Sequence, residues 1–378
     1  MNVRLSINLK GTAKSAFQIF AVLVCCILMI IFPKGTSDGA GKGLKYCLEL
    51  LIPSLFPFMV LSSYMVRSGI SAKLSKIFSP AAKLLFRLPG SAAPTVIMSF
   101  IGGFPVGAKG IAGLYETKLI SLNQAKRMSL FCVGAGPAFL ITAVGTVLLN
   151  NVNLGIILLI SQILSGFILG IISRFFYTEK EIIKTDVQKS NAGRSNPFVE
   201  ACADGSNGII SLSALVVLFQ AFIGIIEQSG LSQTVCKILS ILGVGRYSEI
   251  ILPSVLEVTG ACSLISQGAF HICILSAVIA FGGLCVHLQI WGILSEIQPN
   301  KLLFIFFRLL NAVLSGFFTY LITLFYNPAG EVFNSFSEKP SANMATHFSG
   351  GLAVLILSML FMLSISITKN KLYNKNHG

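Results

Sequence analysis

The stretch SFIGGFPVGAKGIAGLYETK, Ser99–Lys118, decides the fold. It begins apolar, as a membrane span would. Then Gly102, Gly103, Pro105, Gly107 and Gly110 fall within nine residues, with Lys109 among them. Glycine and proline weaken or end a helix, and a charge at membrane depth is costly unless solvated or paired. Broken backbone is tolerated at that depth only where protein buries it or where it lines a watery cavity. The stretch therefore reads as a re-entrant or broken segment rather than a plain span.

The rest of the chain supplies the membrane context. It is 54% hydrophobic and 11% charged, with a mean hydropathy of +0.81; soluble domains carry about 25% charged residues. Apolar segments fall at roughly 16–33, 46–66, 91–115, 128–148, 154–176, 207–228, 248–267, 270–290, 302–326 and 349–368, each read by span length and hydropathy. Besides 91–115, the segment SEIILPSVLEVTGACSLISQ, 248–267, is interrupted, by Pro253, Glu257 and Gly260. The expected fold class is an all-α polytopic membrane protein: about eight transmembrane helices plus two re-entrant or broken segments in an inverted repeat.

Charge assigns the sides. The net charge of +14 resides in loops that read as cytoplasmic, not in basic clusters interleaved with aromatics, so nucleic acid is excluded as a partner. The basic linker 179–196 and the tail TKNKLYNKNHG place both termini inside, while LNNVN (149–153) and 327–347 fall outside. Residues 34–45 read as an external loop although Lys34, Lys42 and Lys45 oppose that side. Arg4, Lys10 and Lys14 ahead of an apolar run of span length read as an uncleaved signal-anchor. The nine cysteines form no C-x-x-C pair and no histidine stands at zinc spacing, so neither metal site nor cofactor is expected. H-E-x-x-H and Walker A patterns are missing, which argues against an enzyme of the zincin type and against an ATP-driven pump.

The two interrupted segments have matching surroundings. VLSSYMVRSGISAKLSKIF (60–78) precedes the first and FIGIIEQSGLSQTVCKIL (222–239) the second. Each is a span, then Ser-Gly-apolar-Ser, then an amphipathic stretch with lysine. A glycine-rich span follows each: CVGAGPAFLITAVG (132–145) and FGGLCVHLQIWG (281–292). Loop 67–90 carries Arg67, Lys73, Lys76, Lys83 and Arg87, whereas 229–247 carries only Lys237 and Arg246, as opposite orientations require. The resulting division is a signal-anchor helix and loop at 1–45, a first repeat at 46–177, a cytoplasmic linker at 178–197, an inverted second repeat at 198–326, and an external loop, last span and tail at 327–378. Inverted repeats with discontinuous helices are the architecture of many secondary transporters, whose substrate sites lie near the midplane.

LFPFMVLSSYMVRSG (55–69), IGGFPVGAKGIAGL (101–114), EVTGACSL (257–264) and FGGLCVHLQI (281–290) together resemble the nucleoside recognition, or Gate, family. Within it they are most similar to the sporulation integral membrane proteins of the YlbJ type, over roughly residues 45–325. Gate domains also occur in the ferrous iron transporter B family and in spore maturation proteins, and are distantly similar to concentrative nucleoside transporters. The resemblance implies a role in spore cortex formation and movement of dipicolinate across the outer forespore membrane. It does not imply nucleoside transport for this branch.

The residues at the breaks are the candidate site: Gly102, Gly103, Pro105, Gly107, Lys109, Gly134, Gly136, Pro137, Glu257, Thr259, Gly260, Gly282, Gly283, His287 and Gln289. Lys109 reads either as a contact for a carboxylate or as a lysine snorkelling to the cytoplasmic edge. Glu257 reads as a ligand for a coupling H+ or Na+, or as a partner of Lys109. Thr259 and Gly260 would add oxygens, and His287 would shuttle a proton or simply pack. The expected partners are a small organic anion and the lipid bilayer, and an oligomer is compatible with the sequence. The competing readings are a non-transporting scaffold and a transporter of a nucleoside or metal ion.

Overall fold

The computed structural model describes residues 9–68, 70–177, 196–241, 248–267 and 271–326. Most of the expected linker and the whole of 327–378, with its expected last span, lie outside the described residues. The described chain is all-helical. Five of its helices are long and apolar enough to cross a membrane: Pro33–Met65, Val152–Phe175, Pro197–Gln228, Ile272–Ile293 and Lys301–Phe325. The protein is a multi-pass membrane protein.

The first half starts with α1 (Leu9–Ile31), whose apolar side chains from Ile19 onward are largely exposed. Next comes α2 (Pro33–Tyr46), joined through a π-turn, Cys47–Leu51, to α3 (Ile52–Arg67). α4 (Ile70–Phe86) is amphipathic; the chain then bends by 105° into Gly90–Gly102. α5 (Ala93–Gly102) and α6 (Phe104–Glu116) follow, then α7 (Leu122–Ser129), opened by a Ser121/Gln124 capping box. A non-helical stretch leads to a π-helix, Ala138–Leu148, and α8 (Val152–Ile172) closes the half. The second half runs through α9 (Pro197–Gln228), α10 (Leu231–Ile241), α11 (Ser248–Leu256), α12 (Val258–Gln267), α13 (Ile272–Phe281), α14 (Gly283–Ile293) and α15 (Lys301–Phe325).

Residues 34–45 correct the sequence reading. They are not a loop but the body of α2, continuous with the span that follows. Their glycines are the reason. Gly35, Gly39 and Gly43, four residues apart, form one buried face that packs backbone to backbone on α9. A side chain on Gly35 would meet the Gly224 carbonyl, one on Gly39 the Gln220 carbonyl, and one on Gly43 the Val217 backbone. Small residues at this spacing let membrane helices approach closely. Gly35 N–H also donates to Gln228 Oε1 at 2.5 Å, and Lys42 pairs with Glu227 at 3.3 Å. Replacing Gly39 by leucine is expected to wedge α2 off α9, at a cost of about 1–3 kcal/mol or more. Gly41→Leu is the control, because its side has open space. Melting in detergent should separate the two variants.

The segment 128–148 is likewise not an uninterrupted span. Its helix ends at Ser129, and regular structure resumes as the π-helix at Ala138.

α2–α3 packs antiparallel to α9, and α8 antiparallel to α15. Along α2–α3 the contacts on α9 run backwards, from Gly35 against Gly224 through Val60 against Gly205 to Arg67 against Glu200. As α8 advances from Gln162 to Ser165, its hydrogen-bond partners on α15 retreat from Ser315 to Asn311. Packing is also reciprocal: α14 contacts α6 and α9, and the π-helix contacts α12 and α3.

Candidate functional site

α5 and α6 fold back on each other about Gly103. A side chain on Gly110 would meet Thr95, and one on Gly107 would lie 3.0 Å from the Ser99 side chain. These pairs are nearly symmetric about Gly103, as in a helical hairpin. Gly103 has φ 79° and ψ −168°, a region essentially reserved for glycine. Pro105 then starts α6, where its missing N–H costs nothing.

The second interruption falls at Glu257. Its carboxylate caps the new helix α12, accepting N–H from Thr259 and from Gly260, both at 2.7 Å. Gln220 Nε2 of α9 donates to Oε2, also at 2.7 Å. The side chain is buried, and both its oxygens are engaged. A carboxylate is well placed here because the first turn of a helix has unpaired N–H groups and a positive dipole end. α13 and α14 meet at Gly282 and Gly283, both at positive φ. Gly283 lies against the Ser254 carbonyl and the Glu257 N–H.

The breaks of the two halves meet. Gly102, Gly103, Pro105 and Gly136 of the first half line one cavity of about 40 Å³ with Glu257, Thr259 and Gln289 of the second. That is far below the roughly 300–1,000 Å³ of small-molecule pockets, so the junction has room for water but not for an organic solute. Gly107 packs on the Cys132 carbonyl, and Gly260 on Gln220. Gly134 faces open space, and Pro137 precedes the π-helix.

Lys109 does not pair with Glu257. It lines a second cavity, of about 330 Å³, with Arg67, Ser62, Ser63, Thr95 and Asp204. Its Nζ donates to the Asp204 main-chain carbonyl at 3.2 Å. Arg67 pairs with Glu200 and, through Nε, with Asp204 Oδ2 at 2.7 Å; Ser63 Oγ donates to the same oxygen at 2.6 Å. The Asp204 hydrogen bond raises the Arg67 pKa above the ordinary guanidinium value. Arg67 is thus committed to two carboxylates, whereas Lys109 hydrogen-bonds an uncharged carbonyl and has the Asp204 carboxylate as a neighbouring charge. Arg67 as a cavity wall and Asp204 altogether were missed from sequence. The available signal was the pair of acids Glu200 and Asp204, one turn apart near the start of an apolar helix.

His287 is not at the junction. It is buried, hydrogen-bonded to the Phe281 carbonyl at 2.9 Å, and packed against Phe281, Trp291 and Phe304. Its neighbours are those of a packing residue. Among the described residues no three His, Cys, Asp or Glu side chains converge as a metal site would need.

Comparison with known proteins agrees with the motifs. Residues 48–175 match the Gate family model, described as nucleoside recognition. The sporulation integral membrane protein YlbJ of Bacillus subtilis (strain 168) is 25% identical over 365 aligned residues, covering 87% of this chain and 88% of that protein. Among solved structures, a CNTnw double variant in an outward-facing state aligns at TM-score 0.48 and 17% identity, over 84% of this chain and 88% of that one. A CNTnw single variant in an intermediate state aligns at TM-score 0.45 with the same identity and coverage. Over residues 48–175 the chain carries the pattern of the Gate nucleoside-recognition family, and over most of its length it is similar to a sporulation integral membrane protein.

Proposed function

We propose that this protein is a membrane transporter for a small organic anion, of the size and charge of dipicolinate, acting in sporulation. The observation that carries the reading is the junction itself. Helix breaks from both halves converge on one small cavity, between elements whose counterparts run antiparallel. That arrangement supports an inverted repeat, 46–177 against 198–326, with both broken pairs re-entrant and the remaining segments spanning. The sporulation role and a place in the outer forespore membrane rest on the YlbJ likeness; cytoplasmic termini rest on the basic linker and tail.

On this reading the anion is received in the 330 Å³ cavity, a size typical of small-molecule pockets. Lys109 meets its carboxylate, while Glu257 is the cap that shapes the junction beyond. The closed junction then separates this cavity from the far side. Transport is passive or coupled to H+ or Na+.

The test is uptake of labelled dipicolinate into vesicles holding the purified protein, with proton and sodium gradients imposed in turn. Uptake above empty vesicles is expected. Lys109→Ala should raise the half-saturating concentration by about tenfold or more, the worth of a charge-assisted contact, and Lys109→Arg should keep most of the affinity. Uptake equal to empty vesicles under every gradient would sink the proposal in favour of a scaffold. Competition by uridine but not by pyridine carboxylates would redirect it to the nucleoside named in the family's description.

A further inference from the structure

α15 carries Arg308, Asn311, Ser315 and Thr319 along one buried stripe, spaced by three, four and four residues. None is more than 3% exposed. Polar groups in a membrane helix are expensive unless partnered, so their partners reveal what they do. Ser315 and Thr319 join Ser276 of α13 and Gln162 of α8 in hydrogen bonds of 2.7–3.0 Å. Arg308 reaches main chain instead, and Asn311, besides accepting from Ser165 Oγ, does so too. Arg308 Nη2 donates to the Leu130 carbonyl at 2.6 Å, and Nη1 donates to the Val133 carbonyl. Asn311 Nδ2 donates to the Ala280 carbonyl at 3.2 Å.

These carbonyls belong to two further breaks, the stretch between α7 and the π-helix and the α13–α14 turn at Gly282. Leu130 and Val133 lie where α7 ends and the non-helical stretch before Ala138 begins. Ala280 is in the last turn of α13, two residues before Gly282. Carbonyls at the end of a helix have no helical N–H to accept from, and they carry the negative end of its dipole. Arg308 answers both needs at the break after α7. Among the described residues it forms no ion pair with a carboxylate, so the carbonyl dipoles are its counter-charge. A planar guanidinium holds two acceptors at fixed spacing, which an ammonium cannot do.

We propose that Arg308 is the positioning residue of the break between α7 and the π-helix. Its guanidinium fork holds the Leu130 and Val133 carbonyls and thereby keeps the segment before Ala138 out of helical geometry. Asn311, one turn along, holds the end of α13 in the same way. α15 is thus the common strut of the 130–137 stretch and of the α13–α14 turn. This concerns backbone geometry and stands whichever solute, if any, passes.

Cys132 supplies a native probe, since it lies inside the held segment and is 0% exposed. Cys262, in α12, is equally buried and is the internal reference. The full-length protein in detergent is treated with N-ethylmaleimide and each cysteine followed by peptide mass spectrometry. Arg308→Gln is expected to speed modification of Cys132 by at least tenfold while leaving Cys262 unchanged. Arg308→Lys, which keeps the charge but loses the fork, should also expose Cys132. It carries the same comparison if the glutamine variant does not assemble. Asn311→Ala should leave Cys132 protected. Unchanged Cys132 in Arg308→Gln overturns the proposal. So does a parallel rise at Cys262, which would make Arg308 a general packing residue, or full protection in Arg308→Lys, which would reduce its role to charge.

Discussion

Glu257→Ala is expected to be among the most destabilising single changes in the protein. The substitution removes the acceptor for three buried donors at once: the Thr259 and Gly260 N–H groups and the Gln220 amide. A buried donor left unpaired costs roughly 1–3 kcal/mol, and the helix also loses a charge that suits its positive end. Water entering the adjoining 40 Å³ cavity would offset part of this. The melting midpoint in detergent should fall by many degrees, and Glu257→Gln should fall between, because the carboxamide keeps one acceptor and turns a donor toward the others. Gln220→Ala, which withdraws one donor and leaves the cap intact, should cost much less. A Glu257→Ala protein that melts with the parent would show that the carboxylate is not the cap the geometry describes.

Gly107→Ala should rank close behind. A Cβ there would fall on the Cys132 carbonyl oxygen, with the Ser99 Cβ 3.0 Å away on the other side. Both neighbours are fixed, one in the non-helical backbone and one in the opposing helix of the hairpin. Overpacking of this kind costs about 1–3 kcal/mol even where side chains can move, and here backbone must shift. Gly103→Ala should cost a similar amount for a different reason: φ 79° with ψ −168° is strained for any L side chain, by about 1–3 kcal/mol. Gly134→Ala should change stability by no more than about 0.5 kcal/mol, since no atom lies within 4 Å of its added Cβ. Purified protein yield and melting midpoint give the ranking. Gly134 is then the position at which a loss of uptake without a loss of stability would report on the solute alone.

The two helix interruptions were legible because glycine, proline and charge contradict an apolar run. Opposite orientations of the spans 46–66 and 207–228 were expected because loop charge changes between 67–90 and 229–247, and α2–α3 does pack antiparallel to α9. Residues 34–45 were misread because PKGTSDGAGKGLKY has the composition of a loop; its helix exists through the face that Gly35, Gly39 and Gly43 present to α9, which local propensity cannot register. The Lys109–Glu257 pairing failed because both residues sit at breaks in the sequence yet line different cavities. Arg308 was overlooked although KLLFIFFRLLNAVLSGFF offers the same signal that singled out Lys109, a lone charge in an apolar run.

The stripe that joins α8 to α15 bears on how the chain is made. Gln162 and Ser165 enter the bilayer well before Asn311 and Ser315 have been synthesised. Until then the amide of Gln162 faces lipid or a temporary partner, and the glycine face of α2 waits in the same way for α9. The first half is therefore an incomplete object during translation, dependent on the second for its polar contacts. A chain stalled after α8 would present those groups to quality-control proteases, so the protein's abundance should respond to the pace at which its second half is delivered.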